Sequence, residues 1–263
     1  MLAPDSGSPR PVGGRTGRET FRLVNTDTEA TLMSAVARSI ESGTGFSIAT
    51  LNLDHIVKLR QSPAFQSVYA RQTYVVADGN PVVWLLRLAG RRVDLVPGSA
   101  LVRPLCALAA RLDAPIAMIG STERALKEAA DRLEADYPGL RVVLRLAPAF
   151  GFDPDGSEAD SCLDAVEASG ARLCFLAFGA PKQEMLAARG LDRVPGCGFV
   201  SVGAGLDFIA GHQVRAPRWV QKIAMEWVWR LASNPRRLAR RYWNCLTILP
   251  GLVLDARQTR ESA

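Results

Sequence analysis

Histidine, and cysteine at metal-binding spacing, are scarce in this chain. Its two histidines, His55 and His212, are too few for a histidine-based metal site. The five cysteines (Cys106, Cys162, Cys174, Cys197 and Cys245) contain no CxxC pair. Odd in number and set among apolar neighbours, they read as reduced core residues of a cytosolic protein. No apolar run reaches the length of a membrane span, and the Pro-, Gly- and Ser-rich start lacks a signal peptide's apolar region; both point to the cytoplasm. A dinucleotide glycine fingerprint and a P-loop are both missing, which removes the support for a nicotinamide-dependent dehydrogenase. A helix-turn-helix, RRM or zinc signature is missing too, and that argues against a nucleic-acid partner.

What is present is the material of a globular protein. With 263 residues, 48% apolar and 22% charged, the chain can bury a substantial core as one large domain or two small lobes. The net charge of +6 is concentrated near the C-terminus. Between Arg215 and Arg241 stand Arg215, Arg218, Lys222, Arg230, Arg236, Arg237, Arg240 and Arg241, against the single acid Glu226. Such a run calls for an anionic partner: phosphate groups, a lipid surface or nucleic acid.

Residues 1 to about 20 read as a mobile tail, rich in Gly, Pro, Ser and Arg. From Phe46 to Val202, strand-like runs alternate with helix-like ones, which predicts an α/β fold with a parallel sheet covered by helices. A boundary near residue 113 separates two βα series. Several strand ends carry polar or glycine-rich turns, where open α/β sheets bind their ligands. Thr50-Leu51-Asn52 ends the first strand, and Asp78-Gly79-Asn80 follows Tyr74–Ala77. Asp78 stands where a catalytic carboxylate would, although the commoner use of such an aspartate is to cap the next helix. Gly120-Ser121-Thr122 offers backbone N–H groups and a hydroxyl to an anion. Gly179-Ala180-Pro181-Lys182-Gln183-Glu184 and Gly203-Ala204-Gly205 are the two remaining turns, with Gln183 near the strand edge.

From Pro217 the pattern turns helical. Val220, Ile223, Trp227 and Leu231, then Leu238, Tyr242, Cys245 and Leu249, form apolar stripes beside arginines. One reading is a pair of amphipathic helices packed on the sheet. The other is an interfacial appendage over residues 215–254, with 255–263 a tail. In that reading Trp227, Leu231, Leu238, Tyr242 and Leu249 lie on an anionic bilayer, and Arg236, Arg237, Arg240, Arg241 and Trp243 make the contact.

Taken together, Thr50-Leu51-Asn52, Asp78-Gly79, Gly179 to Glu184, Val202 to Phe208, Arg215-Ala216-Pro217, Glu226-Trp227 and Asn234-Pro235-Arg236 resemble the WecG/TagA/CpsF family of bacterial glycosyltransferases. The resemblance implies a Rossmann-like domain, spanning 21–214, with a helical appendage that meets the membrane. It implies transfer of a sugar, N-acetylmannosamine-type or another hexose, from a UDP-sugar to a polyprenyl-diphosphate-linked sugar at the inner face of the cytoplasmic membrane, without metal or cofactor. Asp78 would be the base and Thr50, Asn52 and Gln183 would line the pocket. Gly120, Ser121, Gly179, Gly203, Arg215 and Arg218 are further substrate-binding candidates, the two arginines for the departing UDP. With no acidic metal-binding pair in view, a single inverting displacement is expected. One segment departs from the family pattern: Leu95 stands where an arginine is usual and Ala100 where an aspartate is. A homo-oligomer stays open, and so does a non-catalytic or nucleic-acid-binding basic protein as the alternative.

Overall fold

The computed structural model describes residues 17–213, 217, 229 and 235–261. Six strands form one parallel sheet in the order β2-β1-β6-β5-β3-β4: β1 Phe46–Leu51, β2 Tyr74–Ala77, β3 Ile116–Gly120, β4 Val142–Leu146, β5 Leu173–Ala177 and β6 Gly198–Ser201. Every residue of β1, β3, β5 and β6 is buried, as expected of strands covered on both faces. The edge strand β4 instead alternates half-buried with exposed residues. The one sheet contains strands from before and after residue 113.

Helices cover both faces. On one lie α2 (Glu29–Ser42), α6 (Gly98–Arg111), α7 (Glu123–Asp136) and α10 (Gly205–Ala210), sharing a core with Phe46, Ile48, Met118, Phe175 and Val200. The other face is covered by two groups. Helices α1 (Gly17–Arg22), α3 (Leu53–Gln61), α4 (Pro63–Ala70) and α5 (Asn80–Leu88) pack over β1 and β2. Helices α8 (Ser157–Ser169) and α9 (Lys182–Arg193) pack over β3, β5 and β6. Pro63 starts α4 at its first helical position, where its missing N–H costs nothing, and thereby splits what would be one long helix. The sequence reading passed over α2, yet its ends are marked: Thr28 caps the Thr31 N–H and Gly43 closes the helix at φ 74°.

The last described helix, α11, runs Pro235–Glu261, so residues expected to be a tail continue a helix whose Ala256 is buried. At the other end, residues 17–20 begin α1 rather than ending a tail, and Thr20 and Phe21 are buried. Helix α11 packs on α1, α3 and α5. Leu238, Cys245 and Leu252 are buried, and Leu249 packs against the core under α5. The stripe expected on a bilayer therefore faces inward over its described part; Trp227 and Leu231 lie outside the described residues. The apolar residues left outside on α11 are Trp243, Leu246 and Leu254, 67%, 52% and 59% exposed. No described helix is long and apolar enough to cross a membrane.

Packing between strands is tight enough to dictate residue size. Gly198 pairs in register with Phe46, and a Cβ there would lie 2.2 Å from the Phe46 ring. Gly198→Ala should therefore destabilise the protein by about 1–3 kcal/mol, the usual result of overpacking a core. Gly251 in α11 has nothing within 4 Å of such a Cβ. Gly251→Ala should stabilise by about 0.5–1 kcal/mol through helix propensity. Urea unfolding midpoints of the two variants should move in opposite directions.

Candidate active site

Register decides what meets at the carboxyl edge. Strands β1 and β2 pair Thr50 with Val76 and Leu51 with Ala77, and the Asp78 N–H continues the ladder to the Leu51 carbonyl at 2.9 Å. One step further along, Asn52 and Asp78 stand side by side. Thr50 Oγ1 donates to Asp78 Oδ2 at 3.4 Å, and Asn52 Nδ2 donates to the same oxygen at 3.3 Å. Asn52 also caps α3, its Oδ1 accepting the His55 N–H at 3.1 Å, so its amide is fixed at both ends. The residue at the N-cap of α5 is Gly79, which leaves Asp78 one position ahead of the cap. Two donors on one carboxylate oxygen fix the orientation of the Asp78 side chain.

Beneath this carboxylate lies a buried polar layer that the sequence did not announce. Tyr69 Oη donates to the Thr50 carbonyl at 2.6 Å, and His55 Nδ1 lies 2.5 Å from the same oxygen and 2.9 Å from Tyr69 Oη. Burial, aided by the Lys58 charge, lowers the His55 pKa to about 4, so the ring is neutral near pH 7. Burial raises the Tyr69 pKa well above its usual value, with the Glu184 and Asp78 charges adding to the effect. Both groups are thus held neutral and serve to brace the end of β1. Asp54, also buried, is compensated by Lys58 at 2.8 Å and Arg241 at 2.9 Å. Lys58 Nζ further donates to the Ala180 carbonyl at 2.8 Å, which ties α3 to the turn after β5.

Gln183 does not sit as a free pocket wall. Its Oε1 accepts from the Gly179 and Gly203 N–H groups, each at 3.1 Å, and joins the turns after β5 and β6. Both glycines are left-handed, at φ 76° and 54°. The Gln183 Nε2 donates to Glu184 Oε1 at 2.8 Å. Glu184 is completely buried, and burial raises its pKa to about 7.

The turn after β3 differs from the anion site expected there. Ser121, at φ 52°, donates from Oγ to Asp207 Oδ1 at 2.5 Å, and Gln213 Nε2 donates to Asp207 Oδ2 at 3.2 Å. A carboxylate therefore occupies the place, and it repels phosphate while accepting hydroxyl or N–H donors. Gly120 earns its position sterically, since a Cβ there would lie 2.7 Å from the Ala177 carbonyl. Alongside, a groove of about 680 Å³ is lined by Ser99, Ala100, Arg103, Arg132, Gly205 and Phe208. Ala100, one of the two departures from the family pattern, opens onto this groove, and Leu95 is exposed. Arg103 is engaged by Asp136 at 2.6 Å.

Of the C-terminal candidates, Arg215 and Arg218 lie outside the described residues. Arg236 and Arg237 fall in the first turn of α11, and Arg240 is exposed. Arg241, expected at a membrane, turns to Asp54 instead, because a buried carboxylate draws the nearest cation. His212 pairs with Glu128 at 2.9 Å on the far side of α7, a structural use. Sequence reasoning missed Asp54, Lys58, Tyr69 and the role of Glu184. Only the i, i+4 spacing of Asp54 and Lys58 carried a local signal.

At the carboxyl edge of the sheet, Asp78 is thus held by Thr50 and Asn52, and two glycine turns are joined by Gln183. The model of the glycosyl transferase WecG/TagA/CpsF family matches residues 20–263. The match covers nearly the whole chain, including the sheet, every turn described above and α11. The chain belongs to the WecG/TagA/CpsF family, the glycosyltransferases of cell-surface polysaccharide synthesis.

Proposed function

We propose that this glycosyltransferase moves a hexose, N-acetylmannosamine-type or another, from a UDP-sugar to a polyprenyl-diphosphate-linked sugar, with inversion. The observation that carries the reading is the convergence of Thr50 and Asn52 on Asp78 Oδ2 at the carboxyl edge. Asp78 takes the proton from the acceptor hydroxyl as that oxygen bonds to the anomeric carbon of the donor. The bond from that carbon to the UDP oxygen breaks on the opposite face, and UDP leaves with the electron pair. Attack and departure on opposite faces invert the anomeric centre. The turns at Gly120, Gly179 and Gly203 form the floor on which the donor lies, with Ser121 and Asp207 suited to hydroxyl or N–H groups of the donor. Arg215 and Arg218 are assigned to the diphosphate, whose planar fork pairing they match. Gln183 contributes by holding two of the turns rather than by touching sugar.

The acceptor's lipid tail places the reaction at the inner face of the cytoplasmic membrane. The exposed Trp243, Leu246 and Leu254 on α11, and Trp84, 56% exposed on α5, which packs against α11, support an interfacial helix there. Arg240 and Arg257 are exposed on the same helix, and each gains roughly 1 kcal/mol beside anionic lipid.

Asp78→Asn keeps size and hydrogen bonding and removes basicity, so turnover should fall by ~10²-fold or more with an unchanged unfolding midpoint. Steady-state kinetics and urea unfolding check this; turnover close to wild type would return Asp78 to a structural role. Replacing Trp243 and Leu246 together with Glu should abolish sedimentation with anionic liposomes while turnover on a short-chain, water-soluble acceptor stays within ~3-fold, since neither residue packs inward. Continued sedimentation would remove α11 as the anchor.

A further inference from the structure

One buried acid is used by none of the steps above. Glu184 is fully buried on the second residue of the Gln183-Glu184 pair, and its Oε2 has no hydrogen-bond partner. Close by, Gln72 Nε2 donates to the Glu184 carbonyl at 3.1 Å while Gln72 Oε1, also buried, is without a donor. Ionised, such a carboxyl would leave a charge with one neutral donor in an apolar setting; protonated, it becomes a donor in a region that lacks one.

An amide side chain can be turned end for end at little steric cost, so its neighbours must decide which end faces where. For Gln183 the decision has consequences. With Oε1 toward the turns, two backbone N–H groups are satisfied and two loops are joined. With Nε2 there, three donors would face one another. The carboxyl of Glu184 supplies the acceptor that Nε2 needs on the other side. We propose that Glu184 is a positioning residue: its buried carboxyl accepts from Gln183 Nε2, fixes the orientation of the Gln183 amide and thereby locks the Gly179 and Gly203 turns, the floor of the transfer site. This inference rests on the transfer reading for its functional meaning, but the lock itself is a property of the fold.

Burial governs the protonation of Glu184, while either form of the carboxyl accepts from Gln183 Nε2. Burial holds the Glu184 pKa at about 7, above the ordinary glutamate value, so the folded state keeps the proton where the unfolded chain has lost it. The stabilising contribution is complete below the unfolded pKa and is lost as pH rises through about 7. The charged and titratable groups around it are consistent with a neutral carboxyl. Lys58 and Asp54 on α3 act on it with opposite signs, and Tyr69 on α4 is neutral. His55 is neutral, and Arg241 of α11 is taken up by Asp54. Strands β1 and β6 bring no acid or base to α9, and β5 brings only the Cys174 thiol, whose pKa burial raises. On α8, Asp160 and Asp164 are occupied by Arg189 and Arg193 further along α9.

Amide hydrogen exchange in full-length protein labelled at glycine and methionine tests the lock directly. Protection at Gly179 and Gly203, corrected for the intrinsic rate, should stay within ~3-fold between about pH 6 and about pH 8, because the carboxylate accepts from Gln183 Nε2 at least as well as the acid does. In Glu184→Gln, which keeps the acceptor and cannot ionise, both should stay within ~3-fold over that range, and kcat/KM should stay near wild type. In Glu184→Met both glycines should lose protection at every pH while the Met118 amide in β3 keeps its own, and kcat/KM should fall by ~10²-fold. Glycines that keep their protection in Glu184→Met, or that respond separately, would overturn the proposal. If the exchange pattern holds and no UDP-sugar is transferred by wild type, the lock stands and the transfer reading fails. If transfer occurs and the glycine amides are indifferent to Glu184, the reverse is true.

Discussion

The site depends on one constraint: β1 and β2 are parallel neighbours in a register that sets Asn52 beside Asp78. A slip of one residue would turn Thr50 and Asn52 to the other face of the sheet and leave the carboxylate unsupported. The register is in turn held by the apolar residues of both strands, buried on both faces. Phe46 fixes it from the other side, since only a residue without a Cβ can sit opposite its ring at position 198. Position of the carboxylate is thus a product of core packing several residues away from it.

A second layer of the account is electrostatic. The region under β1 and β2 contains Asp54, His55, Lys58, Tyr69 and Glu184, an unusual concentration of titratable side chains for a core. They divide into two kinds. Burial keeps His55 and Tyr69 neutral near pH 7 and raises the Glu184 pKa to about 7, and all three act through shape and hydrogen bonding. Asp54 is compensated by Lys58 and Arg241, which joins α3, the β5 turn and α11 in one cluster. That cluster docks the C-terminal helix beside the site, so α11 is positioned by an ion pair as well as by Leu252 and Ala256. An anchoring helix fixed in this way would hold the cleft at a set height over a lipid surface.

Much of this was legible in the residues. The strands at Phe46, Tyr74 and Ile116 are short apolar runs bounded by turn residues, and Pro63 marked its own helix boundary. That Thr50, Asn52 and Asp78 meet at one edge was readable because they end two strands of one sheet. Helix α2 was passed over although Thr28 and Gly43 mark its ends. The inner face of α11 was assigned to the membrane because an amphipathic stripe looks the same whether a core or a bilayer covers it. Only the partner surface distinguishes the two, and that is tertiary information. Ser121 read as an anion site because local turn geometry cannot reveal Asp207, which arrives from 86 residues further along the chain. Glu184 was quoted as part of a turn, but its burial depends on α9 packing against β1 and β6.

The central claim is that the edge built around Asp78 performs a single, inverting displacement on a nucleotide-sugar. The most direct measurement incubates the full-length enzyme with a panel of UDP-sugars and a short-chain polyprenyl-diphosphate-linked sugar, and assigns the new linkage by NMR. The account predicts UDP release that requires the acceptor, and a product whose anomeric configuration is opposite to the donor's. A product with retained configuration, or no acceptor-dependent release with any donor in the panel, would contradict it.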